Sequence, residues 1–274
     1  MIALTLGRIA FINVMPVYYA LEQGKLAHPF HLVYASPAEL NVQMQEGHLA
    51  ISSCSCMEYA RRWERYALAR DLCIASNGPV QSVLLLSKKP LSELAGSTLL
   101  TSGQSHTSVV LTKLLFQERY QIPVNYQTGN VRAAIDSGSA PEAVLTIGDE
   151  ALSLRAHPQY PYVTDLATAW REWTGLPFVF ALWIVNPALL DASMGDPTEY
   201  IRESHDWGLA HLEHCLPSVE AQSSLTHEEL CFYYREALKF RLGERELQGL
   251  TLFYHKCVLA NLLSEEPELR FFSS

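Results

Sequence analysis

The sequence lacks the features that mark several large classes of protein. Its 274 residues include 20 Lys and Arg against 29 Asp and Glu, a formal net charge of -9, and no basic cluster offsets that charge. Nucleic acid repels a surface of this sign, so we expect no nucleic-acid partner. No stretch is long and apolar enough to span a bilayer, so we expect no membrane segment. An anionic ligand would need a local binding site, because the overall field repels it.

Signals for export and for metal or cofactor binding are also missing. Arg8 interrupts the apolar residues of segment 1–10, which is unlike a secretory signal, so we expect a cytoplasmic protein. The Cys54-x-Cys56 pair has no second pair to complete a metal site, and reduced thiols are usual in the cytoplasm. The dinucleotide fingerprint, the phosphate loop and the nucleophile elbow are absent too. We therefore expect neither a metal nor a cofactor.

Apolar runs alternate with amphipathic segments along most of the chain. Runs typical of buried strands are residues 4–12, 31–34, 49–52, 73–76, 81–87, 98–101, 143–147 and 178–185. Helices are predicted at residues 16–21, 36–46, 56–65, 107–118 and 149–155, and over most of the chain after residue 196. Alternating strands and helices predict an α/β fold with parallel sheets covered on both faces.

Two apolar stretches bracket a middle block that has its own strands and helices. They are Val83–Ser87 and residues 181–185. This pattern predicts one lobe inserted into another, with the two stretches crossing between them as a hinge. We expect residues 1–87 and 187–274 to form the first lobe and residues 88–186 the second.

Small polar residues follow the predicted strands at the points where helices begin. In open parallel sheets ligands bind at the carboxyl ends of the strands, and helix N-termini there attract carboxylates. A single junction of this kind is often an ordinary helix cap, but several at one edge favour a binding site. The junction residues are Asn13; Ser52, Ser53 and Ser55; Ser102, Gly103, Ser105, His106 and Thr107; and Gly148 and Asp149.

Other side chains with possible chemistry favour structural interpretations. His211 and His214 are three residues apart on a predicted helix without companion carboxylates, so we interpret them as packed or solvated. The role of His106 stays open. The aromatic group is expected in the core, with some members free to form the wall of a ligand site: Trp170, Trp173, Phe178, Phe180 and Trp183.

Six segments together resemble a known family. They are Gly7-Arg8-Ile9 with Asn13 and Pro16; Ser52-Ser53 with Glu58-Tyr59-Ala60; Ser76-Asn77-Gly78-Pro79-Val80-Gln81-Ser82-Val83-Leu84-Leu85; Thr107-Ser108; Ile147-Gly148-Asp149-Glu150-Ala151-Leu152; and Thr174-Gly175-Leu176-Pro177-Phe178-Val179-Phe180-Ala181-Leu182-Trp183. Over residues 6–186 the chain resembles the chorismate dehydratases of the futalosine route to menaquinone.

The resemblance implies a fold, a reaction and a set of site residues. The fold is that of the periplasmic binding proteins with two crossover strands, with the ligand in the cleft between two lobes. The implied reaction is loss of water from chorismate to give 3-[(1-carboxyvinyl)oxy]benzoate without a cofactor, with Asn13 and Ser82 at the reacting atoms. The implied substrate contacts are Ser52, Ser53, Gly78, Pro79, Val80, Ser105, His106, Thr107, Gly148 and Asp149. The general base, the partner of each carboxylate and the oligomeric state stay open.

Three alternatives remain at this point. The 1,4-dihydroxy-6-naphthoate synthase of the same pathway shares the fold, but it has a catalytic histidine where this chain has Ile147-Gly148-Asp149-Glu150. A non-catalytic solute-binding protein for a small acid is disfavoured by the missing export signal. The sensing domain of a regulator is disfavoured because no helix-turn-helix precedes the first strand. Cys54, Cys56 and Asn77 depart from the usual dehydratase pattern.

Overall fold

The computed structural model describes residues 4–104, 106–191 and 195–273. Its strands are β1 (Leu4–Ile9), β2 (Phe30–Ala35), β3 (Ile51–Ser55), β4 (Ala67–Ser76), β5 (Val83–Ser87), β6 (Thr98–Ser102), β7 (Asn125–Gly129), β8 (Ala143–Ile147), β9 (Tyr162–Asp165) and β10 (Phe178–Val185). Its helices are α1 (Met15–Glu22), α2 (Pro37–Gln45), α3 (Cys56–Arg61), α4 (His106–Leu114), α5 (Val131–Asp136), α6 (Gly148–Leu154), α7 (Leu166–Thr174), α8 (Thr198–Ala210), α9 (Leu212–Cys215), α10 (Pro217–Glu220), α11 (His227–Phe232) and α12 (Glu244–Leu259). Short 3₁₀ turns lie at Ile12–Val14, Trp63–Arg65, Leu91–Glu93 and Pro187–Leu189, and π-helices at Leu115–Tyr120 and Tyr233–Ala237.

The strands form two five-stranded mixed sheets. The first has the order β2-β1-β3-β10-β4 and the second β7-β6-β8-β5-β9. Within the first sheet β1 is parallel to β2 and β3, whereas β10 is antiparallel to both β3 and β4. Within the second, β6 is parallel to β7 and β8, whereas β5 is antiparallel to β8 and β9. The α/β class is confirmed. The prediction of parallel sheets is wrong for β10 in the first sheet and for β5 in the second, because each of these strands enters from the other sheet.

The chain passes between the sheets twice. It leaves the first sheet after β4, crosses in residues 77–82, and returns through α7 to β10. The strand pairing differs from the expected boundaries: β5 belongs to the second sheet, although residues 1–87 were assigned to the first lobe, and β10 belongs to the first sheet. The division into lobes that move against each other stays a prediction.

Local signals in the sequence account for several element ends. Ser36 accepts a hydrogen bond from the Glu39 amide and forms a capping box at the start of α2, as expected. Asp165 caps α7 by accepting from the amides of Ala167 and Thr168. The apolar strands β5 and β10 are buried over their whole length, as is typical of strands covered on both faces.

Two strands were not predicted, and both lie at sheet edges. Four of the five residues of β7 are exposed, and β9 has two exposed residues out of four, so neither shows an apolar pattern. Across the described residues, every helix is too short or too polar to cross a membrane.

Candidate active site

A cavity lies where the two sheets face each other, at the ends of β1, β3 and β8 and beside the first crossing segment. Asn13, Ser53, Ser82 and Gly148 line it, together with residues of the α4 N-terminus. The predicted junctions therefore meet at one place. Meeting at one edge follows from topology, because parallel strands in both sheets direct their carboxyl ends toward the same gap.

The walls of the cavity are largely apolar. Phe11, Val83 and Phe180 line it, together with Leu238 from the C-terminal region. Phe180 is thus the member of the expected aromatic group that reaches the site, while Trp170 is fully buried against Phe178 and Phe253. Such walls suit a flat hydrocarbon ring.

The described residues that line the cavity include no Asp, Glu, Lys or Arg. His106 is the titratable imidazole among them, and burial, followed by the nearby Arg61 and Arg62, lowers its pKa from the ordinary value of 6.5. It is therefore neutral at pH 7, and a ligand in the cavity contacts neutral side chains and backbone dipoles.

Ser82 is buried, with 3% of its surface exposed, and comes immediately before β5 rather than within it. Its Oγ accepts a hydrogen bond from the Tyr233 hydroxyl at 2.8 Å. The distance from Ser82 Oγ to the Val80 carbonyl oxygen is 3.4 Å, which is long for a hydroxyl donor. Its own carbonyl accepts from the Gly148 amide at 2.7 Å, which joins the crossing segment to the start of α6.

The residue before Ser82 has an unusual backbone conformation. Gln81 has a φ of 64°, in the left-handed region that side chains other than glycine rarely adopt. The Gln81 amide donates to Asp165 Oδ2 at 2.7 Å, which holds this turn in place. Burial raises the pKa of Asp165 despite the amides that it accepts.

Asn13 lies in the 3₁₀ turn Ile12–Val14, because β1 ends at Ile9, three residues before the predicted end of the strand. Its side-chain Oδ1 is buried and has no hydrogen-bond partner in the described structure. The same is true of Ser53 Oγ and His106 Nδ1. A buried polar atom without a partner is costly, and these three belong to residues that line one cavity. Such atoms also occur away from the cavity, for example at Asn41 and Ser204.

Hydroxyls and a helix start provide further polar groups. Ser55 lines the cavity and caps α3 by accepting from the Glu58 amide at 3.1 Å. Thr107, in the first turn of α4, is buried, and its Oγ1 lies 3.4 Å from Cys56 Sγ. The first-turn amides of α4 have no intrahelical acceptor and suit a carboxylate.

The structure does not bring every expected contact to the cavity. Ser52 points away, toward Gly7, where an added Cβ would lie 2.4 Å from Ser52 Oγ. Gly78 and Pro79 are in the crossing segment but outside the lining, whereas Val80 is within it. Ser105 lies outside the described residues.

Asp149 is also outside the lining. Its Oδ1 accepts a hydrogen bond from the Ile12 amide at 3.2 Å. Burial raises the pKa of this carboxyl, while the Ile12 amide and Arg8 lower it. Asp149 thus connects the start of α6 to the turn that carries Asn13.

Two tyrosines hydrogen-bonded to the site were not predicted from the sequence. Tyr233 donates to Ser82, and Tyr234 donates to the Ile12 carbonyl at 2.8 Å. They are 151 and 222 residues away from these partners. The sequence predicted only that they lie in a helical region, so no local signal identified them.

Potential metal ligands come together away from the cavity. Among the described residues, donor atoms of Glu213, His227 and Cys231 lie within 4.8 Å of one another. Glu213 and His227 are exposed. His227 forms ion pairs with Glu213 at 3.0 Å and Glu220 at 2.7 Å, which account for its position.

The cysteines and histidines that were not expected to bind a metal have contacts that suit a structural role. Cys54 and Cys56 are buried thiols, and burial raises the pKa of Cys56 to about 12. His211 is exposed and stacks on Trp207 with ring centroids 4.2 Å apart, in agreement with the interpretation that it is packed or solvated.

A family model and two relatives of known name indicate the same family for this chain. A family model described as menaquinone biosynthesis matches residues 4–258. The chain is 32% identical over 269 residues to a chorismate dehydratase of Thermus thermophilus, covering 90% of this chain and 93% of that protein. It is 25% identical over 263 residues to a chorismate dehydratase of Campylobacter jejuni, covering 93% and 98%.

Solved structures confirm the expected fold. A crystal structure of an Archaeoglobus fulgidus protein has a TM-score of 0.79 and 15% identity, covering 94% of this chain and 98% of that chain. The periplasmic aliphatic sulphonate-binding protein of Escherichia coli has a TM-score of 0.64 and 13% identity, covering 100% and 92%. The periplasmic-binding-protein-like architecture is therefore confirmed.

Proposed function

The chain belongs to the menaquinone-biosynthesis family, and from that premise we propose that it is a chorismate dehydratase. The reaction removes water from chorismate and gives 3-[(1-carboxyvinyl)oxy]benzoate for the futalosine route. One observation in the molecule carries the proposal beyond family membership. The buried, unpartnered polar atoms of Asn13, Ser53 and His106 surround one apolar cavity that has no charged lining residue among those described.

The cavity suits the chemical groups of chorismate. The apolar walls at Phe11 and Phe180 match a flat ring. The two carboxylates need donors, which the first turn of α4 and the hydroxyls of Ser53 and Thr107 supply. Neutral donors bind such a dianion locally although the chain as a whole is negative.

The reaction is an elimination without any change of oxidation state. The C–H bond at the ether-bearing carbon breaks, and its electron pair delocalises into the ring toward the ring carboxylate. The C–O bond to the ring hydroxyl then breaks, and hydroxide leaves with the proton as water. Aromatisation of the ring drives the step, so no redox cofactor is required. The enzyme must orient the substrate and exclude water.

We propose that the substrate's own side-chain carboxylate takes the proton. Asn13 and Ser82 are not strong bases, and the described lining contains no carboxylate. His106 is the competing candidate for the base, because its imidazole is neutral and its Nδ1 has no protein partner. Holding the substrate carboxylate over the C–H bond uses proximity, which lowers barriers by up to about 7–11 kcal/mol in well-oriented systems. Asn13 and Ser82 are then the pair that fixes the reacting atoms.

The wider setting completes the proposal. We propose that the enzyme acts in the cytoplasm and that residues 77–82 and the segment before β10 let the two sheets close over the substrate. Val80, Ser53, His106, Thr107 and Gly148 are the proposed substrate contacts that also line the cavity. No metal is proposed to take part.

The test is incubation of the purified chain with chorismate and detection of the enolpyruvyl benzoate by liquid chromatography and mass spectrometry. A solute-binding protein would bind chorismate and return it unchanged. The naphthoate synthase alternative would leave chorismate untouched and act on a later intermediate. Absence of the product contradicts the proposed function.

Two substitutions test the catalytic pair. Ser82→Ala and Asn13→Ala should each lower kcat by about 10²-fold, as expected when one group that acts in the transition state is lost. Ser87→Ala is the matched control, since Ser87 is buried at the other end of β5 and donates to the Lys89 carbonyl. Near-normal turnover in both variants contradicts the assignment of the pair.

A further inference from the structure

Two consecutive tyrosines connect the C-terminal helices to both members of the proposed catalytic pair. Tyr233 and Tyr234 begin the π-helix at Tyr233–Ala237, and both are almost completely buried. A π-helical turn interrupts the regular helix, and such turns occur frequently at functional sites. Here the turn directs two neighbouring hydroxyls to different targets, Ser82 and the Ile12 carbonyl.

The bond from Tyr233 determines how Ser82 can be used. A serine hydroxyl has one proton to donate and lone pairs to accept with. Tyr233, which is not among the residues that line the cavity, donates to Ser82 Oγ at 2.8 Å. The Ser82 proton is then left for an acceptor, and the Val80 carbonyl at 3.4 Å is a poor one. An oxygen of the substrate in the cavity is therefore the acceptor that this arrangement leaves available.

The bond from Tyr234 fixes the peptide that precedes Asn13. The Ile12 carbonyl accepts from Tyr234 at 2.8 Å, and the Ile12 amide donates to Asp149 at 3.2 Å. The Ile12 amide belongs to the peptide before Ile12 and the Ile12 carbonyl to the Ile12–Asn13 peptide, so both peptides are held and the position from which the Asn13 side chain leaves the backbone is restricted. Asn13 Oδ1 has no partner in the described structure, so its direction is not set by a bond of its own.

We propose that Tyr233 and Tyr234 are positioning residues for the dehydration: Tyr233 orients Ser82 as a hydrogen-bond donor to the departing hydroxyl of the substrate, and Tyr234 holds the turn that aims Asn13. This inference rests on the proposed function and makes it more specific, because it excludes Ser82 as the base. Burial raises the pKa of both tyrosines, so both hydroxyls keep their protons and remain donors.

The experiment measures kcat, KM and thermal midpoint for Tyr233→Phe and Tyr234→Phe, in the unmodified, Ser82→Ala and Asn13→Ala backgrounds. In the unmodified background each should lower kcat by about tenfold, equivalent to about 1.4 kcal/mol, and change KM by less than about threefold. In the Ser82→Ala background Tyr233→Phe should cause no further loss, and in the Asn13→Ala background it should still cause its full loss. Tyr234→Phe should show the reverse pattern.

Tyr160→Phe is the matched control. Tyr160 is buried in the second sheet's core and donates to the Pro141 carbonyl at 3.1 Å, so its loss affects stability alone. Kinetics of the two variants equal to those of Tyr160→Phe, or equal losses in every background, would overturn the inference while the proposed function stands. Lack of turnover by the unmodified chain is a different result, which contradicts the proposed function itself.

A second variant covers the case in which Tyr233→Phe does not fold. Incorporation of 3-fluorotyrosine at position 233 keeps the hydroxyl and the packing but makes the phenol more acidic. At a pH where both phenols keep their protons, the more acidic phenol is a stronger donor to Ser82 and polarises the Ser82 hydroxyl further, so kcat should change while KM changes little. A kcat equal to that of the unmodified chain would overturn the role of Tyr233.

Discussion

Replacement of Gly148 by alanine tests whether the two sheets close against each other at the cavity. Gly148 has a φ of +58°, and an added Cβ would lie 2.8 Å from the Phe11 ring. Phe11 follows a strand of the first sheet, whereas Gly148 follows a strand of the second. Carbon atoms normally approach to about 3.5 Å, so the added methyl requires the facing surfaces to separate by roughly 0.7 Å.

The variant has two separate costs. The left-handed conformation costs an alanine about 1–2 kcal/mol wherever it occurs. Overpacking costs about 1–3 kcal/mol, and opening of the cleft relieves it in the free chain. The overpacking cost therefore acts on the ligand-bound state. Affinity for the product should fall by roughly five- to 150-fold, which corresponds to the overpacking cost of about 1–3 kcal/mol.

Gly138→Ala is the matched control for the backbone cost. Gly138 has a φ of +72°, and nothing lies within 4 Å of an added Cβ. Isothermal titration calorimetry with the product should show lower affinity for Gly148→Ala alone, while chemical denaturation should show a loss of stability in both. Equal affinities in the two variants would refute the reasoning that Phe11 and Gly148 approach each other around the ligand.

Four further expectations concern the same site. Chelation and dialysis should leave turnover unchanged, because the proposed elimination needs no metal; loss of activity restored by one added metal would contradict this. Small-angle scattering should show a smaller radius of gyration with product bound, and an unchanged radius would contradict a closing cleft. Because the pKa of His106 is below 6.5, kcat should show no fall that depends on His106 between pH 6.5 and 8, and a fall that disappears in His106→Gln would show that its protonated form is needed. Thr107→Pro removes an amide donor from the first turn of α4 and should weaken product binding by about tenfold; unchanged affinity would place the carboxylates elsewhere.

The parts of the fold that sequence reasoning identified are those with local physical signals. Apolar runs identified β5, β8 and β10 because these strands are buried on both faces. The Ser36 and Glu39 spacing gave the start of α2. The direction of β5 and β10 in their sheets had no such signal, because an apolar run has the same composition whether it enters a sheet parallel or antiparallel.

The candidate site, like the fold, was predictable from the sequence only where local signals exist. Its strand-to-helix junctions were predicted from small polar residues, and several of these residues do line one cavity. The direction of a side chain within a junction was not predictable: Ser52 and Ser53 are adjacent, yet Ser53 lines the cavity and Ser52 faces Gly7. Alternation along a strand requires this difference, but the face that meets the cavity depends on the second sheet. Contacts across 151 residues, such as that from Tyr233 to Ser82, depend on the complete fold.

The neutral lining of the cavity has a consequence for how the reaction is accelerated. An arginine pair would bind the two carboxylates of chorismate strongly, but it would stabilise the bound substrate as well as the transition state, and uniform binding does not raise kcat. In the proposed elimination, charge moves from the side-chain carboxylate, which takes the proton, into the ring and then onto the departing hydroxyl. Fixed neutral donors such as Ser82 interact most strongly with the oxygen on which charge develops, and they need no reorganisation when it does. A buried, uncharged cavity also leaves the substrate carboxylate poorly solvated, which makes it a stronger base than in water. The absence of charged residues among the described lining is therefore consistent with a site in which the substrate supplies its own base and the protein supplies orientation.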